Sequence, residues 1–268
     1  MNTPYSAILA IALYLAGGAM LALRLSKGTL ASPHKAPFLA VGLAAITLHA
    51  WVLYQNLFVV NGLNMGIFNA LSLLSWIIAV LVLGTSFTQP VENIGIAALP
   101  LAAAALAAEL HFQTEHLVSK QAPTGLKLHI LISILSYSLF CIAAVQAVLL
   151  AVQNRHLHSK RPGGFVRALP PLETMETLLF RIVAVAFVLQ SFSLVSGSFY
   201  LRDMFEQHLA HKIILSVAAW LVFAILLVGR WRFGWRGRRA IRWTLSGFVT
   251  LLLAYVGSKW VLEVLLGR

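Results

Sequence analysis

The chain has 268 residues, of which 60% are hydrophobic and only 10% charged, with a mean hydropathy of +0.85. A soluble domain carries about 25% charged residues, so this chain cannot clothe a water-soluble surface, and its wealth of apolar side chains excludes disorder as well. One cysteine excludes an internal disulfide, a CxxC redox centre and a cysteine-based zinc site.

Charge-free runs mark the membrane spans in chain order. Residues 1–23 carry no charge. Residues 36–91 carry none either, a stretch too long for one crossing, and it divides at Val60-Asn61-Gly62-Leu63-Asn64, where turn residues cluster. Further runs cover 93–108, 128–154, 182–201, 213–229 and 243–258. A helix needs about 20 mostly apolar residues to cross the hydrocarbon layer. This predicts eight helices near 4–25, 37–59, 66–88, 93–110, 126–152, 176–200, 209–230 and 242–265. The alternation of outer-membrane strands is absent, and inside a bilayer the backbone must satisfy itself, which favours helices. The expected fold is an all-α integral membrane protein, a bundle of about eight transmembrane helices forming a single domain over 1–268.

The net charge of +12 is informative by position. With the N-terminus outside, 14 of the 20 basic residues fall on cytoplasmic segments: Arg24, Lys27, Lys35, Arg155, Lys160, Arg161, Arg167, Arg181, Arg230, Arg232, Arg236, Arg238, Arg239 and Arg242. The outer side keeps Lys120, Lys127, Arg202, Lys212, Lys259 and Arg268. This is the positive-inside pattern, with both termini outside, in a multi-pass protein of a bacterial inner membrane. The excess charge then meets anionic lipid head groups, and nucleic acid is not an expected partner. The first helix lacks a basic n-region and has its positive charges after the apolar run, as an uncleaved helix does.

The nine histidines sort by topology. His34, His156 and His158 lie in basic cytoplasmic loops and read as solvated. His111, His116 and His208 fall in outer loops or at helix edges. His49 lies about halfway along the second helix, His129 just inside the outer end of the fifth, and His211 at the outer end of the seventh. Ionisable residues in spans are costly and so are functional candidates; the alternative for each is a hydrogen bond to a neighbouring helix. Polar stripes accompany them. Gly42, His49 and Asn56 share a face of the second helix; Asn69, Ser72 and Trp76 line up on the third; His129, Ser133 and Ser136 on the fifth; Gln190, Ser193 and Gly197 on the sixth.

Intramembrane histidine without cysteine or acidic partners narrows the ligand. A hydrophilic divalent metal site would want carboxylates beside the histidines, and a proton pathway would recruit Asp or Glu. Haem fits better: it is apolar and planar and takes axial imidazoles, while its propionates need cations. His129 and His211 sit at similar depth on different helices, with Lys127 and Lys212 beside them. Trp51 and Trp220 are candidates to stack on a macrocycle, although tryptophans more often pack or anchor at interfaces.

Several segments resemble one family. Lys127-Leu128-His129-Ile130-Leu131-Ile132-Ser133-Ile134-Leu135-Ser136-Tyr137-Ser138 is similar to the His-then-Ser-Tyr helix of the cytochrome c assembly membrane proteins (CcsA/CcmC type). The segment from His211 to Phe223 resembles the helix after their tryptophan-rich outer motif, and Gly234-Trp235-Arg236-Gly237-Arg238-Arg239-Ala240 the basic loop that follows. Pro170-Pro171-Leu172-Glu173-Thr174-Met175-Glu176 resembles the start of the preceding helix. The layout is similar to the short eight-helix branch (YpjD- and HemX-like), with a family-like core over about 45–260. The resemblance implies haem handling: His129 matches the outer-side haem histidine, and His49 a histidine within the membrane. A role for His211 as second ligand is inferred from its position, and His208, His111 or His116 could replace it. Histidines that larger members carry are absent at Gly229-Arg230-Trp231-Arg232 and at Tyr255-Val256-Gly257-Ser258.

The expected function is non-covalent binding of a b-type haem for haem handling and cytochrome c assembly. Haem-bearing residues would be His129 and His211 as axial ligands, with His49, Lys127, Lys212 and Trp220 around it. Partners would be cytochrome c assembly or tetrapyrrole-pathway proteins. No nucleophile–base pair, phosphate loop or paired carboxylates point to an enzyme. Two other classes remain open: a membrane regulator of a partner that carries no haem, and a small-solute transporter, which would usually show broken helices or paired repeats.

Overall fold

Long runs of Leu, Ile, Val and Ala in a bilayer leave the helix as the backbone state that satisfies its own polar groups. The computed structural model of the protein, which describes residues 3–27, 35–60, 62–88, 92–112, 114, 116–158, 169–199 and 210–257, is made of such helices. They are α1 (Thr3–Ser26), α2 (Ala36–Leu57), α3 (Ile67–Ser86), α4 (Glu92–His111), α5 (Thr124–His158), α6 (Leu172–Ser198), α7 (Ala210–Phe233) and α8 (Gly237–Leu252), the last continuing as a π-helical turn over Leu253–Gly257. Seven of them, α1 to α7, are long and apolar enough to cross a membrane. Leu131, Val185, Phe192 and Ile214 are each more than half exposed, whereas Ser72, Ser136, Ser138 and Thr244 are fully buried. The protein is an all-α, multi-pass membrane protein with apolar side chains outward and small polar ones within.

The eighth helix differs from expectation. It starts at Gly237 rather than near 242, and it is amphipathic: Arg238, Arg239 and Arg242 are exposed while Ala240, Ile241, Thr244, Gly247 and Leu251 are buried. The rest of the span expected up to 265 lies outside the described residues. Helix α5 runs six residues past its expected end, because Gln153 and Asn154 continue its pattern before the loop begins.

By contacts the chain divides into two units, Met1–Lys120 with Arg155–Pro171, and Gln121–Asn154 with Leu172–Arg268. In the first, α1 packs on α2 and α4, and α3 packs on the same two helices, closing a ring of four. Small residues allow the approach: a Cβ added at Gly18 of α1 would lie 3.1 Å from the Pro100 ring of α4. At one end of this ring the buried Glu92 carboxylate pairs with Lys35, and with Arg24 at 3.7 Å, while Lys35 Nζ donates to Ser86 O at 3.2 Å. At the other end lies a small sheet that hydropathy and helical spacing do not predict. Its strands are β1 (Phe58–Val59), β2 (Gly62–Asn64) and β3 (Leu117–Ser119), antiparallel in the order β1-β2-β3, with Phe58 opposite Leu63 and Leu63 opposite Val118. Gly62 has φ +154°, and a Cβ there would collide with Val118 O, so this crossing needs glycine. The sheet puts the α2–α3 and α4–α5 connections at one end of the unit, as alternate crossings require.

In the second unit α5 meets α6 through hydrogen bonds and α7 through Phe140 stacked on Phe223 at 3.9 Å. Phe223 also lies under Gly247 of α8, where a Cβ would come within 2.8 Å of the ring. Glu176 of α6 ties down the α7–α8 turn: it accepts from Arg236 Nε at 2.8 Å and from Gly237 N at 2.6 Å.

Candidate functional site

The polar stripes read from the sequence face one another. On α5 and α6 they zip into a ladder. His129 Nδ1 is 2.9 Å from Ser196 Oγ, Ser133 Oγ is 2.7 Å from Ser193 Oγ, and Ser136 Oγ donates to Ala186 O at 2.9 Å and to Gln190 Oε1 at 3.3 Å. A turn of helix separates each rung, so the i, i+4, i+7 spacing of α5 meets a matching spacing on α6. Gly197 completes the stripe by its lack of a side chain: a Cβ there would fall 3.0 Å from His129 Cε1. The imidazole therefore rests on bare backbone.

His129 is half-buried near the start of α5. Its contact with Ser196 engages Nδ1 and leaves Nε2 as the nitrogen able to coordinate a metal, the arrangement in which a neighbouring hydroxyl fixes the ring of a ligating histidine. Lys212, at the start of α7, lies close enough to His129 to act on it electrostatically and sits 5.2 Å from the centre of the Tyr255 ring. Tyr255 in turn packs on Tyr137 of α5 at 5.3 Å. Half-buried Lys127 is two residues before His129. The described residues thus place one imidazole, two lysines and two tyrosines toward one end of this unit. The backbone of His211 belongs to α7, one residue before Lys212, but its side chain lies outside the described residues, as do His34, His208 and the side chain of His158.

His49 has a different setting. It is fully buried within the first unit, with Nδ1 3.1 Å from the Tyr14 hydroxyl of α1 and Nε2 2.8 Å from Ser72 Oγ of α3. Both ring nitrogens are engaged, so coordination of iron there would require displacing one of these partners. Its stripe-mates behave likewise. Gly42 receives Leu83, and Asn56 Nδ2 donates to Glu109 Oε1 at 2.8 Å. Trp76 of the α3 stripe donates to Ile46 O at 2.8 Å.

The tryptophans do not present open faces to one site. Trp220 donates through Nε1 to Ser191 Oγ at 2.8 Å and stacks on Phe187 at 5.2 Å. Trp51 is exposed on α2 and stacks on Tyr54. His111 is exposed and packs edge-on against Phe112. His116 bonds through its backbone, with N donating to Asn64 Oδ1 at 3.1 Å and O accepting from Met65 N at 2.7 Å.

Three residues gain a role only from these contacts. Tyr14 and Ser196 are hydroxyls in apolar runs, and nothing marks them until each meets a histidine on another helix. Glu109 ends the charge-free run 93–108 and so reads as the edge of a span; α4 runs on to His111 and buries it.

The chain matches the family described as cytochrome C assembly protein over residues 39–266. It is 32% identical over 209 residues to the inner membrane protein YpjD of Escherichia coli K12, covering 76% of this chain and 78% of that one. It is 37% identical over 142 residues to a 28.8 kDa protein of Azospirillum brasilense, covering 52% of each. It is also 28% identical over 109 residues to the cytochrome c biogenesis protein CcsA of Gloeothece citriformis, covering 40% of this chain and 33% of that one. No solved structure matches. The chain belongs to the cytochrome c assembly protein family.

Proposed function

We propose that this protein binds haem non-covalently at the end of α5 that carries His129, in a bacterial inner membrane, and that it serves haem handling in cytochrome c assembly. The observation that carries the reading is the setting of His129. Its Nδ1 is engaged by Ser196, its ring has room only because residue 197 is glycine, and Lys212 stands near it. These residues fit the group: the oriented imidazole would hold the iron, and Lys127 and Lys212 would supply cations for propionates. His211 is the second imidazole this reading names, with His208, His111 and His116 as its alternatives. When bound, haem would supply a redox-active iron. Ser196 orients His129, Ser133 and Ser193 hold the two helices in register beneath it, and the lysines would meet the polar edge of the group. His49 is left out of this ligand set, since Tyr14 and Ser72 take both of its nitrogens.

The reading is tested by haem content. Protein purified in detergent from haem-replete cells and assayed as pyridine haemochrome should give about one haem per chain. Protein without haem would refute it, and two haems per chain would require a second ligand pair.

A further inference from the structure

The outward face of α8 changes character along its length. Residues 238, 239, 242, 246, 249 and 253 share it at helical spacing. Arg238, Arg239, Arg242 and Ser246 are exposed, and so are Val249, Leu252 and Leu253 further on. Three guanidiniums thus stand over the first turns, and aliphatic side chains begin about 10 Å beyond Arg242 on the same helix. Helix α7 shows the reverse order: Leu221, Ile225 and Val228 are exposed at helical spacing and lead to exposed Arg232. Beside it Trp231 and Phe233 are 82% and 74% exposed, and Trp235 packs on Trp243 at 5.5 Å. Aromatic side chains gathered at the end of a span mark the boundary between head groups and hydrocarbon.

The arginines of this end divide by what they touch. Arg230 lies over the Phe180 ring at 4.7 Å, and its Nη1 donates to Trp235 O at 3.2 Å. Arg236 is held by Glu176. Among the described residues no acid or acceptor engages the side chains of Arg238, Arg239 and Arg242. Like charges three and four residues apart on a helix repel one another, and cations in its first turn are opposed by its dipole. The fold of α8 therefore gains nothing from this triplet. Topology asks only that cations flank a span, and Arg230 and Arg236 meet that demand while turned onto protein groups.

We propose that the outward face of α8 is a binding site for an anionic phospholipid of the leaflet at that end. Arg238, Arg239 and Arg242 bind its phosphate, to which a guanidinium offers paired donors, and an acyl chain runs along Val249, Leu252 and Leu253. A nucleic acid or an acidic soluble protein would match the charge, but not the aliphatic continuation of the same face or the uncovered Trp231 and Phe233. A phospholipid matches both, because it carries its charge and its chains in that order. The site shares no residue with the haem reading and stands apart from it.

The test is native mass spectrometry of the full chain in a neutral detergent, offered equal amounts of phosphatidylglycerol and phosphatidylcholine with the same acyl chains. The unmodified protein should retain phosphatidylglycerol in preference. Arg239→Gln combined with Arg242→Gln should weaken that binding about 10- to 30-fold. Lys27→Gln combined with Arg155→Gln removes the same charge from two other exposed positions and should leave the preference intact. Excess glycerol 3-phosphate or an oligoglutamate peptide should not displace the lipid. Equal retention of the two lipids by the unmodified protein would overturn the site, and equal losses in the two double variants would reduce it to diffuse charge. Displacement by glycerol 3-phosphate would assign the arginines to a soluble anion instead, and displacement by the peptide to an acidic protein.

Discussion

The imidazole of His129 lies against the bare backbone of Gly197, so closely that a Cβ there would fall 3.0 Å from Cε1 and 3.7 Å from Nε2. One residue earlier, Ser196 holds the Nδ1 of the same ring at 2.9 Å. A missing side chain and a hydroxyl, adjacent on α6, thus set where the histidine of α5 points.

Gly197 is therefore expected to be sensitive to size. Gly197→Ala should shift the haem absorption bands as the ring gives way by a few tenths of an ångström, and Gly197→Leu should abolish haem binding. Gly84 is the control, because a Cβ added there would meet nothing within 4 Å: Gly84→Ala should leave the spectrum unchanged. Equal spectra for Gly197→Leu and Gly84→Ala would separate His129 from the haem.

His49 should act on stability rather than on colour. His49→Ala removes a buried ring and strands the Tyr14 and Ser72 hydroxyls, a combination worth about 2–4 kcal/mol. Tyr14→Phe removes one bond to a neutral partner and should cost about 1 kcal/mol. Thermal unfolding in detergent would show a large fall in Tm for the first and a small one for the second, with haem content per folded chain unchanged in both.

At the opposite end of the second unit the test is the turn between α7 and α8. Glu176 is buried and holds both the Arg236 side chain and the Gly237 amide, whereas Glu173 is exposed and only 3.6 Å from Arg236. Exposed pairs contribute little. Glu176→Ala should therefore lower Tm clearly more than Glu173→Ala. Gly237 has φ +54°, so Gly237→Val should be destabilising as well.

Much of this arrangement is legible in the sequence, for physical reasons. Charge-free length is a strong signal for spans, and α1 to α7 appear where it puts them. The stripes of α5 and α6 are readable because small polar residues at helical spacing in an apolar run have few other places to bond. Their pairing, Ser133 with Ser193 and His129 with Ser196, is not, since spacing within a helix carries no register between helices. The sheet escapes because its strands are two or three residues long. Glu109 is misleading because a charge near a span's end looks like a boundary, while here Asn56 draws it inside.

Orientation follows from the basic residues. The ends of the first unit differ, with Arg24 and Lys35 gathered at Glu92 and the strands at the other side. By the positive-inside rule the Arg24 end is expected in the cytoplasm. Reporter fusions after Ser119 should read as outside and after Lys160 as inside. The reverse pattern would move His129 to the cytoplasmic face.

The central claim is most directly tested by the absorption spectra of the unmodified protein, His129→Ala and His49→Ala, purified side by side in detergent. The account predicts a haem spectrum in the unmodified protein, its loss or displacement in His129→Ala, and its retention in His49→Ala. A haem spectrum that survives His129→Ala unchanged and disappears in His49→Ala would contradict it.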